Sequence, residues 1–334
     1  MRRPRHLSAL CLLVVAGVCQ AATDSAFTLT VENDKFTGSD NNYTNGVGLS
    51  WSSGDIASYE EGSLPRRWAE LWDFLPRVAN EDFRTYASWT LGQEMYSPDD
   101  ITLANPPLDD QPYAGVLFVD NTFHVRRNRW GHTWNVRLGV VGPASQADNI
   151  QTWVHDLIDT DEPRGWDTQL PNELLLNLDY SAGYVWRTGE VGKSFTWRLI
   201  PNGSVSLGNY FTGVSAGLHA EIGWNLSDAL GMSTLRHGIS TATTIGAGPQ
   251  DHWSISFFAG GTAFGIAHYL PLDGTLFRDS RSVDSKKLVG LITAGMSIRR
   301  GPFVLSLAQT YFSKSFETER EGAEFGSLSL SWYF

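Results

Sequence analysis

The sequence predicts an all-β protein, a twelve-stranded antiparallel transmembrane β-barrel carrying one external loop helix at about residues 146–161. Three observations point there. Twelve segments alternate between large apolar and polar residues with a period of two, the pattern of a sheet with one face in lipid and one in water. The final segment, FGSLSLSWYF, sets Leu328, Leu330, Trp332 and Phe334 against Ser327, Ser329, Ser331 and Tyr333 and stops on an aromatic residue, as a closing barrel strand does. No segment approaches the roughly 20 consecutive apolar residues that a membrane-crossing helix needs.

In order, the expected strands are 26–34, 43–53, 83–96, 112–128, 132–142, 173–187, 194–208, 212–226, 251–267, 286–299, 302–316 and 324–334. The even count suits a single-chain bacterial barrel. In the sixth, Leu174, Leu176, Leu178, Tyr180, Tyr184 and Trp186 oppose Asn177, Asp179, Ser181 and Arg187. In the eighth, Val214, Leu218, Ile222 and Trp224 oppose Ser215, His219, Glu221 and Asn225. A greasy wall around a polar lumen follows, with Arg84, Glu94, Arg126, Arg137, Asp179, Arg187, Arg198 and Glu221 expected to cross-link the interior.

Residues 1–21 have the layout of a cleavable secretory leader: MRRPRH, an apolar run from Leu7 to Val18, and small residues at Ala21 and Ala22. Residues 22–334 then form one barrel domain. Both cysteines, Cys11 and Cys19, fall in the leader, so the mature chain is expected to hold no disulfide and no thiolate metal site. Val18 stands before Cys19 where a lipoprotein would want a small residue. Without Arg2, Arg3 and Arg5, 22 basic side chains face 36 acidic ones, which excludes nucleic acid as a natural partner. Thirteen Trp, eleven Tyr and seventeen Phe suit aromatic membrane girdles better than a secreted β-sandwich.

With both termini at the periplasmic side, the connections 35–42, 97–111, 143–172, 209–211, 268–285 and 317–323 are external. The turns 129–131, 188–193 and 300–301 are periplasmic and tight. Two longer connections are periplasmic too, 54–82, which contains the amphipathic stretch PRRWAELWDFLP, and 227–250. Polar motif residues gather on the external rim: Glu32, Asn33 and Asp34, then Tyr43, Thr44 and Asn45, then Gln93 to Pro98, then Asp110 to Gly115. A passive barrel would scatter them over both rims. On the first strand Phe27, Leu29 and Val31 share the outward column with Asn33, while Thr28, Thr30, Glu32 and Asp34 point inward. An amide in the lipid-facing column makes sense above the apolar band, under a loop helix.

That helix is read from Gln146 to about Asp161. Ile150, Val154, Leu157 and Ile158 form one stripe and Asp148, Gln151 and His155 another, with Gln151 and His155 one turn apart. A lone helix histidine is usually solvated, and Asn33–Asp34 alone would read as a turn signal.

VENDKF, DNNYTNG, GQEMYSPDD, DQPYAG, LGVVGPASQADNIQTWVHDLI and GWDTQLPNE, in this order, resemble the outer-membrane lipid A 3'-O-deacylase family, the LpxR type. The likeness runs from the first strand to the start of the sixth. It implies a twelve-stranded outer-membrane barrel that removes the 3'-linked acyloxyacyl group of lipid A by calcium-dependent ester hydrolysis, acting on lipopolysaccharide among outer-membrane lipids as a monomer. It makes His155 the base that activates water, with Asn33 and Asp34 beside it, Thr44 on the neighbouring strand and Gln151 as support on the helix face. Ca²⁺ prefers oxygen ligands, for which Asp34 and Thr44 are candidates, with Glu32 and Asp161 as further ones. Lys35 and Arg164 are candidates for the substrate phosphates, since loop 97–111 carries four aspartates and no basic residue.

Two other readings meet obstacles in the same residues. An outer-membrane phospholipase would present a His-x-Ser-Asn-Gly segment, whereas Asp156 and Leu157 follow His155, and no GxSxG elbow occurs. A passive channel or structural barrel leaves the gathering of motifs on one rim without a use.

Overall fold

The computed structural model describes residues 25–34, 42–56, 83–158, 161–192, 194–226 and 250–334. The expected leader, the stretch PRRWAELWDFLP and Lys35 lie outside the described residues. The strands are β1 (Ala26–Asn33), β2 (Asn42–Ser52), β3 (Phe83–Ser97), β4 (Ala114–Arg127), β5 (Trp130–Val141), β6 (Glu173–Tyr184), β7 (Arg187–Val191), β8 (Phe195–Gly208), β9 (Phe211–Trp224), β10 (Gln250–Tyr269), β11 (Leu288–Gly301), β12 (Phe303–Phe312) and β13 (Glu324–Tyr333). Neighbours pair antiparallel, and β13 returns to β1 with Ala26 opposite Tyr333, which closes the wall. Closure of this kind leaves the wall no open edge between its first and last strands, the requirement for strands in lipid.

Among the described residues thirteen strands make twelve staves, because β6 and β7 share one. β8 pairs with β6 through Asn202–Gly208 and with β7 through Phe195–Leu199. The expected strand 173–187 is interrupted between them by a one-residue slip in register against β8, from Gly183 opposite Asn202 to Arg187 opposite Leu199. The break resets the alternation. Arg187, expected in the lumen, is exposed beside the Trp186 ring instead.

Elsewhere the alternation holds. Leu328, Leu330, Trp332 and Phe334 are exposed on the wall while Ser327, Ser329, Ser331 and Tyr333 are buried. Inside, hydroxyls pair across strands, Thr28 with Ser331 at 2.8 Å and Thr30 with Ser329 at 3.0 Å, so polar groups removed from water keep partners.

The middle of the lumen is bolted by Arg137, whose guanidinium bonds both oxygens of Asp120 at 2.9 and 3.0 Å and Oε1 of Glu94 at 3.2 Å. Tyr96 and Tyr210 donate to the other Glu94 oxygen. Above it, toward the end opposite the termini, Tyr43, Phe118, Tyr269, Phe312, Phe316 and Phe325 join one buried cluster. A short helix that the sequence reading missed, α2 (Leu270–Asp273), inserts Leu270 and Leu272 into that cluster. Arg198 and Glu221, 3.8 Å apart, brace the lower lumen.

Candidate active site

At the external ends of β1 to β4, pairing aligns Asn33 with Asn45, Asn45 with Met95, and Met95 with Gly115. All four share the outward parity of Leu29, Val47, Leu91 and Val119, which are exposed on the wall just below. With neighbouring strands about 4.8 Å apart, the row from Asn33 to Gly115 is about 14 Å long. Polar residues cap the lipid-facing columns here.

The chain beyond β5 folds down over this row on the outside of the barrel. Gly142 turns it with φ +95°, a backbone conformation that suits glycine, and an added Cβ there would lie 2.7 Å from Leu170 O. A 3₁₀ turn, Pro143–Ser145, and left-handed Gln146 lead into α1 (Ala147–Ile158), which is shorter at both ends than the expected 146–161. Gly115 admits the helix: a Cβ at this position would stand 2.3 Å from both Ala147 Cβ and Ser145 Oγ. Gln93 Nε2 donates to Ser145 O at 2.7 Å, and Met95, Ile101, Tyr113, Ala147 and Trp166 form one small core beneath. The 3₁₀ turn touches β4 and β5, and α1 touches β4 and β3, so the helix runs from the β5 side across β4 to β3.

Gln151 and His155 of its polar stripe face the wall, whereas Asp148 is half-buried. Gln151 and His155 are 3% and 6% exposed, whereas Ile150, Trp153 and Leu157 are 41%, 64% and 70% exposed, so the amphipathic helix is turned inside out relative to one packed on a soluble core. The indole N–H of Trp166 donates to Gln151 Oε1 at 2.6 Å, which points Nε2 the other way, buried and without a hydrogen-bond partner. His155 Nδ1 lies 2.6 Å from the backbone oxygen of Asp161. A carbonyl oxygen only accepts, so Nδ1 carries the proton and the neutral ring keeps its lone pair on Nε2.

The other expected residues divide. Asn33 ends β1 at this rim, and Asp34, the residue after the strand, is fully buried. Thr44 falls in β2 at the register shift between Tyr43 and Asn45 where β2 meets β3. Glu32 belongs to the opposite face of the wall: Tyr43 and Ser327 donate to it inside the lumen at 2.8 and 3.0 Å, so it is a lumen brace and not a ligand beneath the helix. Asp161 meets His155 through its main chain, and its side chain is exposed, which removes its carboxylate from the cluster. Trp166 and Gly115 shape the seat of the helix, which sequence reasoning missed, although both lie in the motifs quoted above.

Neighbouring loops hold the helix seat. Arg281 donates to Pro106 O and Thr168 Oγ1, each at 3.3 Å, and to Pro107 O, joining three external loops. Glu173 accepts the amides of Leu276 and Phe277 and the Asn209 side chain. Burial raises the Tyr113 phenol above its ordinary range, and its neutral hydroxyl donates to Ile101 O at 3.2 Å.

A family model described as outer membrane protein LpxR matches residues 7–334. Among solved structures, LpxR from Salmonella typhimurium has 16% identity and a TM-score of 0.76, covering 92% of this chain and 100% of that one. The β domain of the Bordetella autotransporter Brka has 10% identity and a TM-score of 0.45, with coverage of 93% and 98%. The translocator domain of the autotransporter NalP from Neisseria meningitidis has 9% identity and a TM-score of 0.39, with coverage of 96% and 92%. No curated protein matches the chain.

Proposed function

The chain belongs to the LpxR family of outer-membrane proteins, and from that premise we propose that it is a lipid A 3'-O-deacylase, hydrolysing the ester that carries the 3'-linked acyloxyacyl chain. One observation carries the reading: His155 is buried against the outside of the wall, at the rim, with its tautomer set so that Nε2 is the basic nitrogen. A solvated helix histidine would need neither feature.

His155 lies eight residues beyond Ala147, and a rise of about 1.5 Å per residue carries it about 12 Å along the helix. That is close to the width of the row from Gly115 back to Asn33, about 14 Å. This match of lengths supports assigning His155, Asn33 and Asp34 to one site between helix and barrel. Nε2 takes a proton from water, the water oxygen attacks the ester carbonyl, and the imidazolium returns the proton to the departing sugar oxygen. The products are a free 3'-hydroxyl and the acyloxyacyl acid. Positioned general-base catalysis of this kind contributes roughly 10²–10⁴-fold. The unpartnered amide N–H of Gln151, one turn away, is the donor available to the developing oxyanion.

Among the described residues no group of three or more His, Cys, Asp or Glu side chains gathers, so the calcium ion we propose would rest on one carboxylate and otherwise on neutral oxygens. Asp34 is that carboxylate, with Thr44 and nearby main-chain oxygens as partners. When bound, the ion supplies positive charge at the ester carbonyl oxygen. Leu29, Val47, Leu91 and Val119 lie exposed just below, so an acyl chain reaches the site from the side without leaving the leaflet. Lys35 and the exposed Arg164 are the basic residues proposed for the phosphates.

Mass spectrometry of lipid A incubated with the purified protein tests the reading. The wild type should remove the mass of one acyloxyacyl group, and His155→Ala should lose turnover by at least 100-fold while keeping the heat-modifiable mobility of a folded barrel. A folded, fully active His155→Ala protein would refute the mechanism, and a different mass loss would refute the substrate.

A further inference from the structure

The helix α1 has three sides, and the catalytic reading uses one. At 100° per residue, Ala147, Gln151 and His155 form the side pressed on the wall. Ile150, Trp153 and Leu157 form a second at i, i+3 and i+7, and all three are exposed. Asp148, Asn149, Thr152 and Asp156 make the third, about 120° around from each of the others, and it is polar throughout. A helix between wall and water alone would need two sides. Three sides suit a helix lying along the boundary where wall, lipid and water meet.

We infer that α1 is an interfacial anchor, seated in the outer leaflet with Ile150, Trp153 and Leu157 against lipid acyl chains and the Asp148–Asp156 side against water. Two observations favour lipid as the occupant. First, the apolar side is continuous with the lipid-facing wall: the helix crosses the outside of β4 and β3, whose Val119 and Leu91 are exposed within about 15 Å down the strands. Second, the exposed wall aromatics crowd one end of the barrel. Trp130, Trp186, Trp253, Phe303 and Trp332 all lie toward the terminal end, whereas Tyr311 stands nearly alone at the other among the described wall residues. Trp153 supplies the missing interfacial aromatic over β3 and β4, and such amphipathic rings settle at the headgroup level. Seating the apolar side also holds the wall side down, so leaflet contact keeps Gln151 and His155 in register with the rim. The inference rests on the geometry of α1 and on outer-membrane location, and it stands whether or not His155 is a base.

The test reads contact and not catalysis. Cys11 and Cys19, the chain's only cysteines, are replaced by serine, and Trp153→Cys, Leu157→Cys and Asp156→Cys are made singly and labelled with the fluorophore NBD. Each protein is reconstituted in vesicles of phosphatidylethanolamine and phosphatidylglycerol. Labels at 153 and 157 should be blue-shifted, quenched at least twofold by lipids with a shallow doxyl group and shielded from aqueous iodide, whereas the label at 156 should be quenched by iodide. Iodide access at 153 and 157 would overturn the inference by placing that side in water. Shielding from both quenchers would also overturn it, by showing that protein, such as a second copy of the chain, covers the side.

Discussion

Trp166 Nε1 donates to Gln151 Oε1 across 2.6 Å, and that one bond decides which end of the Gln151 amide is left to act. The carbonyl end is spent on the indole, and the N–H end remains buried without a partner on the face shared with His155. A buried amide left in this state costs about 1–3 kcal/mol, a cost that a bound ester oxygen would relieve.

Trp166→Phe keeps the aromatic packing on Tyr113, whose ring centroid is 4.8 Å away, but deletes the donor. The amide can then rotate, and kcat should fall about tenfold with little change in KM. Gln151→Glu replaces the N–H by an acceptor and should cost about 10²–10³ in kcat. Equal activity of all three proteins would show that the amide is only packing.

Gly115→Val tests the seat of the helix. Even the first carbon of the new side chain would overlap Ala147 Cβ and Ser145 Oγ, so α1 must lift while β4 stays paired. Turnover should drop at least tenfold, with faster hydrogen exchange confined to residues 143–158 and an unchanged unfolding midpoint. A midpoint that falls with turnover would mean that Gly115 serves the barrel instead.

Arg137→Ala strips Glu94 and Asp120 of their shared cation inside the lumen. Breaking one partner out of a buried ionic cluster costs about 3–5 kcal/mol, so urea unfolding in detergent should shift accordingly. Adding Glu94→Gln and Asp120→Asn should recover most of the loss, because neutral amides do not need the guanidinium.

Glu319 makes one external loop sensitive to pH. Burial, foremost, raises its carboxyl above the ordinary range, although Ser315 and Phe316 donate to it. A raised carboxyl contributes stability that is complete below the unfolded-state pKa and is lost as pH rises through the folded value. Amide protection at 315–316, corrected for intrinsic exchange, should therefore be greater at pH 4 than at pH 7. Glu319→Gln should abolish the difference.

Chelation followed by resupply of Ca²⁺ should abolish and then restore deacylation, and Ca²⁺ should raise the unfolding midpoint of the wild type in proportion to the logarithm of its concentration. Asp34→Asn should lose the thermal shift. Activity and midpoint both indifferent to chelator would remove calcium from the proposal.

The sequence by itself determined the staves, and it did so because lipid and lumen are both local signals: each residue of 324–334 reports which side it faces by its own polarity. It also determined that residues near 147–158 are helical, since the apolar and polar stripes are spaced for a helical turn. Polarity could not say which stripe faces inward, because that depends on whether the medium beyond the helix is water or acyl chains. The tertiary structure decided that, setting Gln151 and His155 against the wall and Trp153 outward. It also decided matters that depend on contacts between distant residues: the register slip between β6 and β7, the insertion of α2, the bonds of Glu32 to Tyr43 and Ser327, and the main-chain rather than carboxylate contact of Asp161 with His155. A period-2 pattern fixes a face, whereas a hydrogen-bond partner is fixed only when the closed barrel brings separate strands and loops to one rim.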